Sequence, residues 1–120
     1  MPRYAPRINI SSHGWVLAAT STGRPPALKL WRKSGDGFES ETVWEKDFGG
    51  QFSRMREAEV FESPDGGLHL AVATHDQGVV AIVSPDGAGG WSVREIDAQP
   101  DTFVHEIEIG DLDADGKPEI

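Results

Sequence analysis

The chain has 120 residues, 38% of them hydrophobic and 26% charged, with no cysteine and a net charge of −9. That apolar share is too high for a disordered chain, no apolar run is long enough to span a bilayer, and the absence of thiols excludes disulfides, thiolate metal sites and cysteine nucleophiles. Residues 1–35 carry +6 with no acid and the remainder carries −15, so the two parts attract each other, while the chain as a whole repels a phosphate backbone and nucleic acid is excluded as a partner.

In chain order, strand-like patterns begin at "RINI" (Arg7 to Ile10), which alternates polar and apolar, and continue at "WVLAAT" (Trp15 to Thr20), an apolar run of a buried central strand. "ALKLW" (Ala27 to Trp31) and "FESETVW" (Phe38 to Trp44) follow. The series then repeats: "REAEV" (Arg56 to Val60), "HLAVAT" (His69 to Thr74), "VVAIV" (Val79 to Val83) and "WSVREI" (Trp91 to Ile96). A third round opens with "HEIEI" (His105 to Ile109), 49 residues after "REAEV". Asp-Gly pairs at Asp36, Asp65, Asp86 and Asp115 supply the positive backbone φ that tight hairpins need. "QFSRMREAEVFE" (Gln51 to Glu62) has helical residue preferences, but its alternating counterpart after Asp101 makes it loop plus strand.

A unit of about 50 residues with four antiparallel strands reads as a β-propeller blade. The expectation is an all-β chain of antiparallel four-stranded blades: residues 1–49 form one blade, 50–100 a second, and 101–120 the first strand and loop of a third. Propellers close with about four to eight blades, so the sequence reads as an incomplete propeller whose bare faces are covered by the remainder of the propeller or by head-to-tail self-association. The alternative fold is an immunoglobulin-type sandwich, whose strands need not repeat internally.

The last stretch, "GDLDADGKPEI", carries the chemistry. Ca²⁺ takes about six to eight oxygens, and alternate side chains of a tight loop can point at one centre. Asp111, Asp113, Asp115 and Glu119 supply carboxylates, Gly116 permits the turn, and Lys117 offers its backbone carbonyl. An EF-hand starts with the same residues but needs a helix before the loop and an acid at the twelfth loop position, which lies beyond Ile120.

"IEIGDLDADGKPEI" resembles the FG-GAP and VCBS-type repeats, the calcium-binding blades of integrin α-chain propellers and of many bacterial surface and secreted proteins. Their pattern is a strand, then Asp-x-Asp-x-Asp-Gly-x-x-Asp, then an apolar strand; here Glu119 stands at the ninth position in place of Asp. The resemblance implies a Ca²⁺ ion in the loop joining the first two strands of a blade. The matching stretch of the second unit, "VFESPDGGLHL", has Pro64 where a ligating Asp belongs and His69 in place of the last acid, and "NISSHGW" of the first unit has no acid. One metal site is expected.

No catalytic constellation emerges. His13, His69, His75 and His105 lack zinc spacing, Ser11, Ser12 and Ser53 lack a nucleophile elbow, and "THDQG" (Thr74 to Gly78) reads as a polar turn. Trp15, Trp31, Trp44 and Trp91 read as packing between blades rather than as a sugar platform. The sequence thus points to a calcium-stapled structural or interaction module for a protein or glycan partner, without membrane insertion. The alternative is the non-catalytic propeller part of a polysaccharide-active enzyme. Calcium sites of this loop type suit the millimolar Ca²⁺ outside cells, an extracellular or cell-surface setting, although Met1, Pro2 and Arg3 begin no secretory signal.

Overall fold

The computed structural model describes residues 9–10, 14–20, 25–51, 53–75 and 77–120, without the side chains of residues 9, 10, 15 and 19. Arg3, Arg7, Ser11, Ser12, His13, Arg24, Asp76 and the indole of Trp15 therefore lie outside what is described. The described residues form eight strands and no helix: β1 (Asn9–Ile10), β2 (Gly14–Thr20), β3 (Ala27–Ser34), β4 (Gly37–Glu45), β5 (Met55–Glu62), β6 (Leu68–Thr74), β7 (Val80–Pro85) and β8 (Trp91–Asp97). They make two antiparallel sheets, in the orders β1-β2-β3-β4 and β5-β6-β7-β8. The Gln51 to Glu62 stretch is loop followed by strand, as its alternation requires.

Tight turns close the hairpins where the sequence places Asp-Gly pairs. Between β5 and β6, the Gly67 N–H donates to Asp65 Oδ1 at 2.9 Å, and Gly66 takes φ 85°. Between β7 and β8, Asp86 Oδ1 accepts from the Ala88 and Gly90 amides at 2.8 and 3.0 Å, and Gly87 takes φ 80°. Hydrogen bonds to the ionised form lower both carboxyl pKa values: for Asp65 the Ser63 hydroxyl contributes most, followed by the Gly67 amide; for Asp86 the Ala88 amide leads, followed by Gly90. A depressed folded-state pKa stabilises above the unfolded value and is lost as pH falls through the folded one. Both turns should therefore hold at neutral pH and loosen only below the ordinary aspartate value of 3.8. Amide shifts of Gly67, Ala88 and Gly90 through an acid titration check this, with midpoints expected below 3.8.

Two cores lie in succession. The first, between the sheets, holds Val16, Leu28, Leu30 and Val43 from one side and Met55, Leu68, Leu70, Val72 and Val83 from the other. A second lies on the opposite face of the β5–β8 sheet, where Ala71, Ala73 and Ile82 meet Ile107, flanked by Val104 and Ile109. That sheet is buried on both faces, which explains why β6 reads as a continuous apolar run: Leu68, Leu70, Ala71, Val72, Ala73 and Thr74 are all buried.

The ladders show that the two sheets are oriented alike. Leu17 pairs with Trp31 and Trp31 with Ser40, two residues before Lys33–Phe38, which stands one pair back from the Ser34–Gly37 pair at the turn, as Pro85–Trp91 stands one pair back from Asp86, whose N–H donates to the Gly90 carbonyl. In the second sheet Leu70 pairs with Val83 and Val83 with Val93, two residues before Pro85–Trp91. Residues directly opposite in an antiparallel ladder share a face, so Leu17, Trp31, Ser40 and Phe38 occupy the rear face that Leu70, Val83, Val93 and Trp91 occupy in the second sheet. The front faces also correspond, with Ala18 and Leu30 matching Ala71 and Ile82. Each sheet thus turns its front face to the segment that follows it: the first to the second sheet, the second to residues 104–109.

One expected strand is absent. "HEIEI" forms no ladder; its flanks make the isolated bridges Gln77–Thr102, parallel, and Gly110–Glu119, antiparallel. Its backbone is bound instead to the second sheet, where the Ile107 N–H donates to Glu57 Oε2 at 2.8 Å and the Val104 N–H to the Thr74 carbonyl at 3.3 Å. The alternating pattern places Ile107 and Ile109 on that sheet, but a strand also needs a neighbour along its edge, and among the described residues none pairs with 105–109.

Candidate metal centre

The loop after Ile109 folds on its own carboxylates. Gly110 and Glu119 close it, exchanging backbone hydrogen bonds of 3.1 and 2.8 Å. Inside, Asp111 accepts from the Asp115 amide at 3.1 Å and the Gly116 amide at 2.8 Å, Asp113 from the Asp115 amide at 3.1 Å, and Asp115 from the Lys117 amide at 2.8 Å. Glu119 Oε2 accepts from the Leu112 amide at 2.6 Å. Two residues take left-handed backbone, Gly116 at φ 85° and Ala114 at φ 63°. Gly116 does so without strain, whereas a side chain in that region costs roughly 1–3 kcal/mol, which the surrounding hydrogen bonds must offset.

The result is a concave cluster. Asp111, Asp113, Asp115 and Glu119 each offer a carboxylate oxygen, and these atoms lie within 4.8 Å of one another. Two ligand oxygens on opposite sides of a hard cation stand twice the metal–oxygen distance apart, about 4–5 Å, so all four fit around one centre. Four convergent carboxylates and no soft donor can bind a metal ion of the oxygen-loving class. The three aspartates are exposed, and Glu119, drawn in by its bridge to Gly110, is half-buried.

The other residues raised by the sequence are distributed elsewhere. At the corresponding turn of the second unit, Asp65 is bonded to Ser63 and Gly67, and His69 spans Ser63 Oγ at 3.0 Å and Ser84 Oγ at 2.8 Å while stacking on Phe61. Trp44 and Trp91 are half-buried against the first core, and Trp44 meets Phe48 edge-on at 5.3 Å, but Trp31 belongs to neither core of the described residues. Ser53 is buried, its hydroxyl accepting from the Phe48 amide at 2.7 Å.

The turn containing His75 is more constrained than its polar composition suggests. Gly78 is buried at φ 54°, and a Cβ there would lie 2.5 Å from the Gln99 carbonyl oxygen, so only glycine lets the 98–103 segment cross. That crossing lays Phe103 flat on His75, with centroids 4.2 Å apart, and brings His105 to 5.8 Å from His75. The histidines stand 30 residues apart in the chain, and no local spacing announces the cluster.

Comparison of the chain with protein-family models, with curated proteins and with solved structures finds no match.

Proposed function

We propose that the chain is a calcium-stapled β-propeller repeat module of the FG-GAP/VCBS type, a structural or interaction unit that presents its loops to a protein or glycan partner. The observation that carries this reading is the convergence of Asp111, Asp113, Asp115 and Glu119 on one point. Ca²⁺ at about 2.3–2.6 Å from its oxygens suits a flexible, exposed loop, whereas Mg²⁺ demands near-ideal octahedral geometry at about 2.0–2.1 Å and keeps its waters. In this reading the Lys117 carbonyl adds a fifth protein oxygen and water completes the shell. The common orientation of the two sheets supports the propeller arrangement, because blades related by rotation each pack a front face on the next rear face. The 104–109 segment then stands where the following blade begins.

Calorimetric titration tests the reading. One Ca²⁺ per chain is expected, bound in preference to Mg²⁺. Replacing one charged ligand forfeits about 1.5–3 kcal/mol, so Asp113→Ala should weaken binding about ten- to a hundredfold. A stoichiometry of two, or an unchanged affinity in Asp113→Ala, contradicts the ligand assignment.

A further inference from the structure

We infer that the rear face of the first sheet docks a second copy of this chain, head to tail, at the acidic-rimmed groove in front of the second sheet. The inference rests on the matching sheet faces and on charge, and is independent of which cation the loop binds.

The rear face of the second sheet shows what such a surface is built to meet. There Leu70 and Val83 are fully buried and Trp91 is packed against the front of the first sheet. Their counterparts in the first sheet are Leu17, Trp31 and Phe38. Leu17 and Trp31, both half-buried, belong to neither core of the described residues, and Phe38 is 59% exposed. Lys29 and Lys33 lie on the same face, both exposed, and alternate with Trp31 along β3. Among the described residues, an apolar stripe edged by Lys29 and Lys33, with Glu45 beyond Lys29 opposite Ala27, is thus presented where the equivalent surface is covered by a sheet.

The complementary surface lies at the other end. A groove of about 490 Å³ is lined by Val80, Ile96, Asp97, Glu108, Leu112 and Ile120. Val80 pairs with Ala73 and Asp97, so the groove lies over the front face, beside the part that Ile107 covers. Its floor is apolar and its rim acidic, opposite in charge to the lysine-edged stripe. The groove takes Trp31 and Phe38 of the second copy, and Lys29 and Lys33 come to rest against Asp97 and Glu108. This repeats the front-to-rear order of faces already found between the two sheets. The contact joins two different surfaces, so it either closes into a ring or continues as an open assembly.

Sedimentation velocity and light scattering over a range of protein concentration test the inference, with and without Ca²⁺. Association is expected at low salt and should weaken at about 1 M, where the screening length falls to about 3 Å. Like-charge juxtaposition across an interface costs several kcal/mol, so Lys29→Glu/Lys33→Glu and Asp97→Lys/Glu108→Lys should each weaken association about a hundredfold. An equimolar mixture of the two variants restores opposite charges at every junction and should associate again. Circular dichroism shows that each variant keeps its strands. A wild-type monomer at every concentration, or variants that fail to rescue each other, overturns the inference. Association that persists without Ca²⁺ supports it even if the loop binds no calcium.

Discussion

Leu70→Ala should be among the most damaging single truncations of the described residues, costing about 2–5 kcal/mol. Leu70 is fully buried in the first core, which includes Val16, Leu28, Leu30 and Val83. The deletion removes three carbon groups from water-excluded packing and leaves a cavity that two rigid sheets cannot collapse around. Against a total stability of about 5–15 kcal/mol for a domain, this alone can shift much of the population to the unfolded state. Leu112→Ala serves as the control: its side chain is 84% exposed, and such substitutions stay within about 0.5 kcal/mol. Urea denaturation of both variants checks the contrast, and comparable losses would mean that the sheets are not packed through Leu70.

Calcium should raise thermal stability by an amount that depends on one buried side chain. A ligand that binds only the folded state at a hundredfold excess over its dissociation constant adds about 2.7 kcal/mol. For a chain of this size that corresponds to a Tm increase of about 10 °C. The metal loop is exposed, so this gain reaches the sheets chiefly through the segment before it, where Ile107 is buried against Ala71, Ala73 and Ile82, while Leu112 and Ile120 only line a groove at the sheet. Ile107→Ala should cut the calcium-dependent rise by half or more while leaving the loop ligands untouched. Differential scanning calorimetry with and without Ca²⁺ measures it. An equal rise in both proteins would show that the loop is coupled to the sheets by another route.

Eight strands were legible because their alternation and Asp-Gly punctuation are local signals. The pairing of corresponding faces was less so. Aligning "WVLAAT" with "HLAVAT" puts Val16 opposite Leu70, but the ladders put Leu17 there. In an apolar run buried on both sides, the sequence does not reveal which parity faces which neighbour, and a shift of one residue exchanges the faces. The acidic loop was readable because its geometry is set within nine residues: Asp111, Asp113 and Asp115 each bind amides no more than five positions on. The His75–Phe103–His105 stack was not, because it depends on a crossing at Gly78 that only the folded chain brings about. Nor could alternation alone show that 105–109 lacks a ladder, since alternation reports which side is buried but not whether an edge is paired.

The central claim, one calcium ion in the 111–119 loop, is tested most directly by a backbone amide NMR titration with Ca²⁺. The account predicts saturable shifts concentrated at Leu112, Asp115, Gly116 and Lys117, whose amides are bound to the ligating carboxylates. Smaller shifts should spread to Ile107 and Ala71 through the second core, while the Ser63–Gly67 turn stays still. Shifts centred on the Asp65 or Asp86 turns, or none at the millimolar Ca²⁺ that saturates extracellular modules, would contradict it.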